Sequence, residues 1–168
     1  MKSVQPGDSV VLREGEWRDV RLIFKGAGAK AAPITLRAAT PGKTVFTGKS
    51  TLRLGGEHLV VEGLLFQDPD PSVSDVIDFR VDSDELARHC RLTNCAVIGT
   101  SNANNSQECR WVNLYGVGHR VDHCTIEGKS EKGPSLVVWL GGDNAGQHQI
   151  DCNYFGPREN LGKNGGET

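Results

Sequence analysis

The chain is predicted to be all-β: a right-handed parallel β-helix of about six coils, and three observations predict it. A motif returns at intervals of 29–32 residues, in the segments His58–Leu65, Cys90–Val97, His119–Ile126 and His148–Phe155. Their third place is aliphatic (Val60, Leu92, Val121, Ile150), their sixth small or compact (Gly63, Cys95, Cys124, Asn153) and their eighth apolar (Leu65, Val97, Ile126, Phe155). A unit of that length buries its apolar face only by stacking on the next copy. Next, the apolar runs are short and of strand type, with no helical period beyond one possible turn at Ser83–His89. Finally, turn residues such as Pro41-Gly42, Gly55-Gly56, Pro69-Asp70-Pro71 and Gly141-Gly142 punctuate these runs without hairpin spacing.

In chain order the first expected strands are Ser9–Leu12, Val20–Phe24, Ile34–Arg37 and Thr44–Thr47, each an apolar run closed by a turn. The repeat itself then gives Leu59–Val61 with Leu64–Phe66, Arg91–Thr93 with Ala96–Ile98, Arg120–Asp122 with Thr125–Ile126, and Gln149–Asp151 with Asn153–Phe155. Between these pairs lie Val76–Phe79, Trp111–Leu114 and Leu136–Leu140 as third strands. At about 4.8 Å between stacked strands, six coils make a rod about 30 Å long. Such a rod needs covered ends, yet nothing after Phe155 reads as a cap, and Asn164–Thr168 is a turn that should lead into a further strand. Residues 1–168 are therefore expected to be the N-terminal part of a single β-helix domain, cut at its C-terminal end.

Composition excludes several functions. Nineteen Lys and Arg against 21 Asp and Glu leave a net charge of -2, without the basic stripe that nucleic acid requires. No apolar stretch approaches the roughly 20 residues of a membrane span, and the first eight residues hold no signal-peptide core. The five cysteines do not form a disulfide framework. Cys95 and Cys124 share one place in the repeat, which suits small buried side chains in an inward stack, and no CxxC or His-rich spacing suggests zinc. A solenoid has no closed pocket, so function is expected on an exposed flank.

Strand alternation supplies candidates on that flank. With Leu136, Val138 and Leu140 inward, Val137 and Trp139 point out; Val112 and Leu114 inward put Asn113 and Tyr115 out; Ile77 and Phe79 inward put Asp78 and Arg80 out. Arg80, Tyr115 and Trp139 would then form an outward ladder, with Lys132 about one coil before Asn164. Rings beside sugars and cations that pair with carboxylates are what an acidic polysaccharide needs, so these four residues are the candidate substrate-binding set. His119, His148 and His123 are read as structural imidazoles, and the acidic run Asp68, Asp70, Asp75 and Asp78 as a solvated loop, not a metal cluster.

Several stretches resemble the family six polysaccharide lyases, which include alginate lyases and the dermatan-cleaving chondroitinase B. They are Gln5–Leu12, Gly15–Val20 continuing to Phe24–Gly26, Pro33–Ala38, Arg120–His123, Glu127–Lys129, Gly133–Leu140 and, most specifically, Asn153–Arg158 with Leu161–Glu167. The resemblance implies a parallel β-helix that cuts a uronate-containing polysaccharide by β-elimination, alginate before dermatan sulfate. It implies calcium on the substrate carboxylate, a Lys base and an Arg acid. Of these parts only Asn164, as a calcium ligand, has a counterpart here. The Glu-x-Glu ligands and the catalytic Lys and Arg would follow Thr168, so no catalytic residue is assigned and the segment alone is expected to be inactive. The family also implies a secreted or periplasmic parent. The alternatives are a noncatalytic β-helix that binds glycans or serves as an adhesin, and another β-helix enzyme such as a uronan epimerase or pectate-type lyase.

Overall fold

The computed structural model describes residues 4–100, 105–141 and 146–158, and among them all regular structure is β. Three long sheets run the length of a parallel β-helix of about five turns. The first stacks Ser9–Leu12, Ile34–Ala38, Leu59–Glu62, Arg91–Thr93, Arg120–Asp122 and Gln149–Asp151. The second stacks Gly15–Arg18, Thr44–Gly48, Leu64–Pro69, Ala96–Ile98, Thr125–Glu127 and Tyr154–Phe155. The third runs from Arg21–Ala27 through Thr51–Glu57, Asp75–Asp78 and Arg110–Leu114 to Leu136–Val138, and Ala87–Arg88 also pairs with Thr51–Glu57. All of these pairings are parallel.

The expected register is right for three of the four repeats and one residue out for the first. Leu92 pairs with Val121, and Val121 with Ile150, as expected. Leu92 pairs on its other side with Val61, however, not Val60, and Val97 pairs with Phe66, not Leu65. Adjacent aliphatic pairs, Val60-Val61 and Leu64-Leu65, let the pattern fit in either frame. The backbone fixes the true frame through its corners. Gly63, Asn94, His123 and Cys152 all adopt left-handed φ (74°, 50°, 54° and 56°) between the first and second sheets. His58, His89, Gly118 and Gln147 do the same before the first sheet.

The interior is a set of aliphatic and aromatic ladders. Leu52, Ile77, Val112 and Leu136 stack through the third sheet, and the Phe46 and Phe66 rings stack at 4.9 Å in the second. Cys95 and Cys124 are buried and occupy stacked places, as read from the repeat; all five cysteines are free thiols. Outside the first sheet an ion-pair ladder ties successive turns. Arg91 donates to both carboxylate oxygens of Asp122, and Arg120 grips Asp151 in the same way. The Arg91 guanidinium, hydrogen-bonded to it, holds the Asp122 carboxyl down at about 2.

Other sequence expectations fail locally. Ser83–His89 makes no helical turn: Asp82 accepts the amides of Asp84 and Glu85, and the chain then enters the strand Ala87–Arg88. Leu140 does not point into the core but is 75% exposed, because the strand ends at Val138. Asp75 and Asp78 are not solvated; both are buried in a strand of the third sheet.

Candidate functional site

The outer face of the third sheet holds three of the four candidate residues. Register aligns Arg53, Asp78, Asn113 and Val137 across four successive strands, all pointing away from the core. One step further along lie Arg80, Tyr115 and Trp139. The Arg80 guanidinium carbon sits 3.7 Å from the centre of the Tyr115 ring, and that ring stacks on Trp139 at 5.8 Å with only 6° between planes. The three residues predicted as a ladder thus form one cation–π–π column parallel to the rod. Both faces of Tyr115 are covered, while Trp139 is 38% exposed at the column's end. Arg110 approaches the Trp139 ring at 5.7 Å.

Acidic side chains hold these guanidinium groups in place. Arg110 Nε donates to Asp75 at 2.7 Å, and Arg53 donates to the Asp75 carbonyl at 3.1 Å. Asp78 lies 3.4 Å from Arg53 and 4.0 Å from Arg80. Its carboxyl is raised to about 6 because burial penalises the charged form more than Arg53 favours it. Trp139 Nε1 donates to Asn113 Oδ1 at 3.3 Å, yet Asn113 Nδ2 and Asp78 Oδ1 are buried without a partner. Strand alternation gave the direction of Asp78 and Asn113 but not their burial, because the long side chains around them close over the sheet.

His119 pins the column from behind. Its Nδ1 accepts the Cys90 amide at 3.2 Å, so the proton lies on Nε2, which donates to the Tyr115 carbonyl at 2.5 Å. Burial pushes its pKa down to about 4, so the ring is neutral at physiological pH. His148 repeats the arrangement one turn on, its Nδ1 accepting the His119 amide, and the two rings stack at 4.9 Å.

Lys132 stands apart from the column. It belongs to a separate parallel pairing of Asn105–Glu108 with Glu131–Lys132, and its carbonyl accepts the Lys129 ammonium at 3.0 Å. Asn164 lies outside the described residues. Sequence reading missed Arg53 and Arg110, although the alternation in Thr51–Leu54 would have turned Arg53 outward. It also missed a buried triad at the edge of a cleft over the second sheet, Lys129, Glu131 and Trp111, in which Trp111 Nε1 donates to Glu131 Oε1 at 2.5 Å. The cleft, of about 1000 Å³, is lined by Arg18, Thr47, Gln67, Asp68 and Glu131 but by none of the column residues. Among the described residues no three His, Cys, Asp or Glu side chains converge to hold a metal ion.

A sequence profile of the chondroitinase B family matches residues 1–168. The solved structure of the family six alginate lyase AlyGC is 46% identical and superposes with a TM-score of 0.91 over 98% of this chain, but over 23% of its own. A mannuronic acid-specific family six lyase from the human gut microbiota is 37% identical, with a TM-score of 0.79, covering 88% of this chain and 34% of that one. A family six lyase from Pseudopedobacter saltans is 30% identical, with a TM-score of 0.70, covering 86% and 32% respectively. A search of curated proteins returned no match. The chain therefore spans a quarter to a third of these lyases. Matched from end to end by the family's profile, it belongs to the chondroitinase B family of polysaccharide lyases.

Proposed function

We propose that this chain supplies β-helical coils of a lyase that cleaves a uronate polysaccharide, alginate in preference to dermatan sulfate, by calcium-assisted β-elimination. The observation that carries this reading is the column of Arg80, Tyr115 and Trp139, flanked by Arg53 and Arg110, on one outer face of a family member. Guanidinium groups recognise carboxylates through charge-assisted, often paired hydrogen bonds. A repeating polyanion laid along the rod would meet such groups turn after turn. In this reading calcium lowers the cost of the charge that develops when the C5 proton leaves. Its oxygen ligands would be Asn164 and residues beyond Thr168, which also supply the base and the acid. In the same reading the enzyme acts outside the cytoplasm, as a secreted or periplasmic protein.

Two experiments test this. The 168-residue chain incubated with alginate produces no ultraviolet absorbance from a C4–C5 double bond, whereas the full-length protein does, and a chelator abolishes it. In the full-length protein, Trp139→Ala raises KM for alginate about tenfold, equivalent to about 1.4 kcal/mol of lost binding. Unchanged KM and kcat in that variant contradict the assignment of the groove.

A further inference from the structure

Asp78 is an unusual residue to place beneath a polyanion groove. It is buried, its salt-bridge contacts to Arg53 and Arg80 are loose at 3.4 and 4.0 Å, and its Oδ1 has no hydrogen-bond partner. A bare oxygen on a buried carboxylate is destabilising. The other groups facing it are Asp75 on its own strand, Arg110 and Asn113 on the next, and then Tyr115 and Trp139. Asp75 is engaged by Arg110 at 2.7 Å, so Asp78 is the weakly held carboxylate of the pair. Arg80 is shared between the Asp78 carboxylate and the face of Tyr115. A uronate carboxylate that pairs with Arg80 must draw it from Asp78, and it brings a second negative charge close to a buried first one.

We propose that Asp78 is a specificity-determining residue that stands in for the substrate carboxylate in the empty groove and takes up a proton at Oδ1 when polyuronate claims Arg80. The proposal rests on the reading above, that the sugar chain lies on this face. One ion contact breaks, Arg80 with Asp78, and one forms, Arg80 with the uronate; the proton comes from solvent. Burial already brings the Asp78 carboxyl to about 6, so that proton is accessible near neutrality. A neutral glycan offers no charge to draw Arg80 away, so Arg80 stays between Asp78 and the Tyr115 ring.

The test uses the full-length protein and alginate. Wild-type KM is expected to rise at least tenfold between about pH 6 and about pH 8, as one proton is linked to binding. In Asp78→Asn, KM is expected to be low and flat over the same range; a pH profile parallel to that of the wild type overturns the proposal. Rapid mixing in weak buffer with an indicator dye gives a second readout that needs no variant. β-Elimination is proton-neutral, since the proton lost at C5 returns on the leaving oxygen, so uptake on mixing reports binding. Uptake of up to about three-quarters of a proton per site near about pH 6.5 is expected, since a carboxyl titrating at about 6 is already about one-quarter protonated there, and none overturns the proposal. Arg80→Ala and Trp139→Ala separate the two ideas. If both leave KM unchanged, the groove itself is misassigned; if both raise KM while Asp78→Asn leaves the pH profile unaltered, only the role of Asp78 fails.

Discussion

Replacing Glu131 with Ala is expected to destabilise the protein by about 3–5 kcal/mol, the cost of leaving a buried charge without its partner. Lys129 is fully buried, and its ammonium lies 3.3 Å from Glu131 Oε1. It also donates to the carbonyls of Glu131 and Lys132 at 2.9 and 3.0 Å. Those carbonyls are dipoles and cannot replace the carboxylate charge. The same oxygen accepts Trp111 Nε1, and Oε2 accepts the Ser130 amide, so the substitution orphans two further donors. Burial depresses the Lys129 pKa, and the nearby Glu131 charge opposes that shift. Exchanging both charges together, Lys129→Met with Glu131→Leu, should recover the part of the loss due to the unpaired charge, but not the part due to Trp111 Nε1 and the Ser130 amide, which still lack their acceptor. Denaturant unfolding of the two variants checks this. A loss under about 1 kcal/mol in the single variant would contradict the burial of the pair.

His119→Ala is expected to cost about 2–4 kcal/mol and also to raise KM. The substitution removes the imidazole from between the Cys90 amide and the Tyr115 carbonyl and leaves both without their partner. Tyr115 then loses the tether that sets its ring between Arg80 and Trp139. A merely structural role would lower stability and leave KM alone. A pH series provides an independent check. The folded pKa of His119 is depressed from 6.5 to about 4. Its contribution is therefore full above 6.5 and is lost as pH falls toward 4, where the unfolded chain takes a proton that the folded chain refuses. The loss amounts to as much as about 3 kcal/mol. Asp78 works in the opposite sense. Its folded pKa is raised from 3.8 to about 6, so its contribution is present below 3.8 and is lost as pH rises through about 6. The difference between wild type and His119→Ala isolates the histidine: it should shrink as pH falls from 6.5 to 4.

Most of the architecture was legible because a β-helix writes its stacking into the sequence once per turn. The aliphatic places at Leu92, Val121 and Ile150, and the stacked Cys95 and Cys124, could be aligned without coordinates. The first repeat slipped because two adjacent aliphatic residues carry no parity signal. The strand Thr51–Glu57 was hidden by Gly55-Gly56, which reads as a turn. Gly56 instead has φ of 98° inside a strand, where any Cβ would strike the Gly26 carbonyl of the turn below. For the site, alternation correctly brought Arg80, Tyr115 and Trp139 together. It did not give the partners of Arg53 and Arg110, which lie on neighbouring turns, nor the hold of His119 on the Tyr115 carbonyl and the Cys90 amide. Nor could it show that Tyr115 would be covered on both faces, since parity gives a side chain's direction and not its neighbours.

The most direct measurement is a crystal structure of the full-length protein with a uronate oligosaccharide. The sugar is expected along the outer face of the third sheet, with a carboxylate on Arg80 and a ring against the exposed part of Trp139. An oligosaccharide lying instead in the cleft over the second sheet, beside Arg18 and Gln67, would contradict that placement.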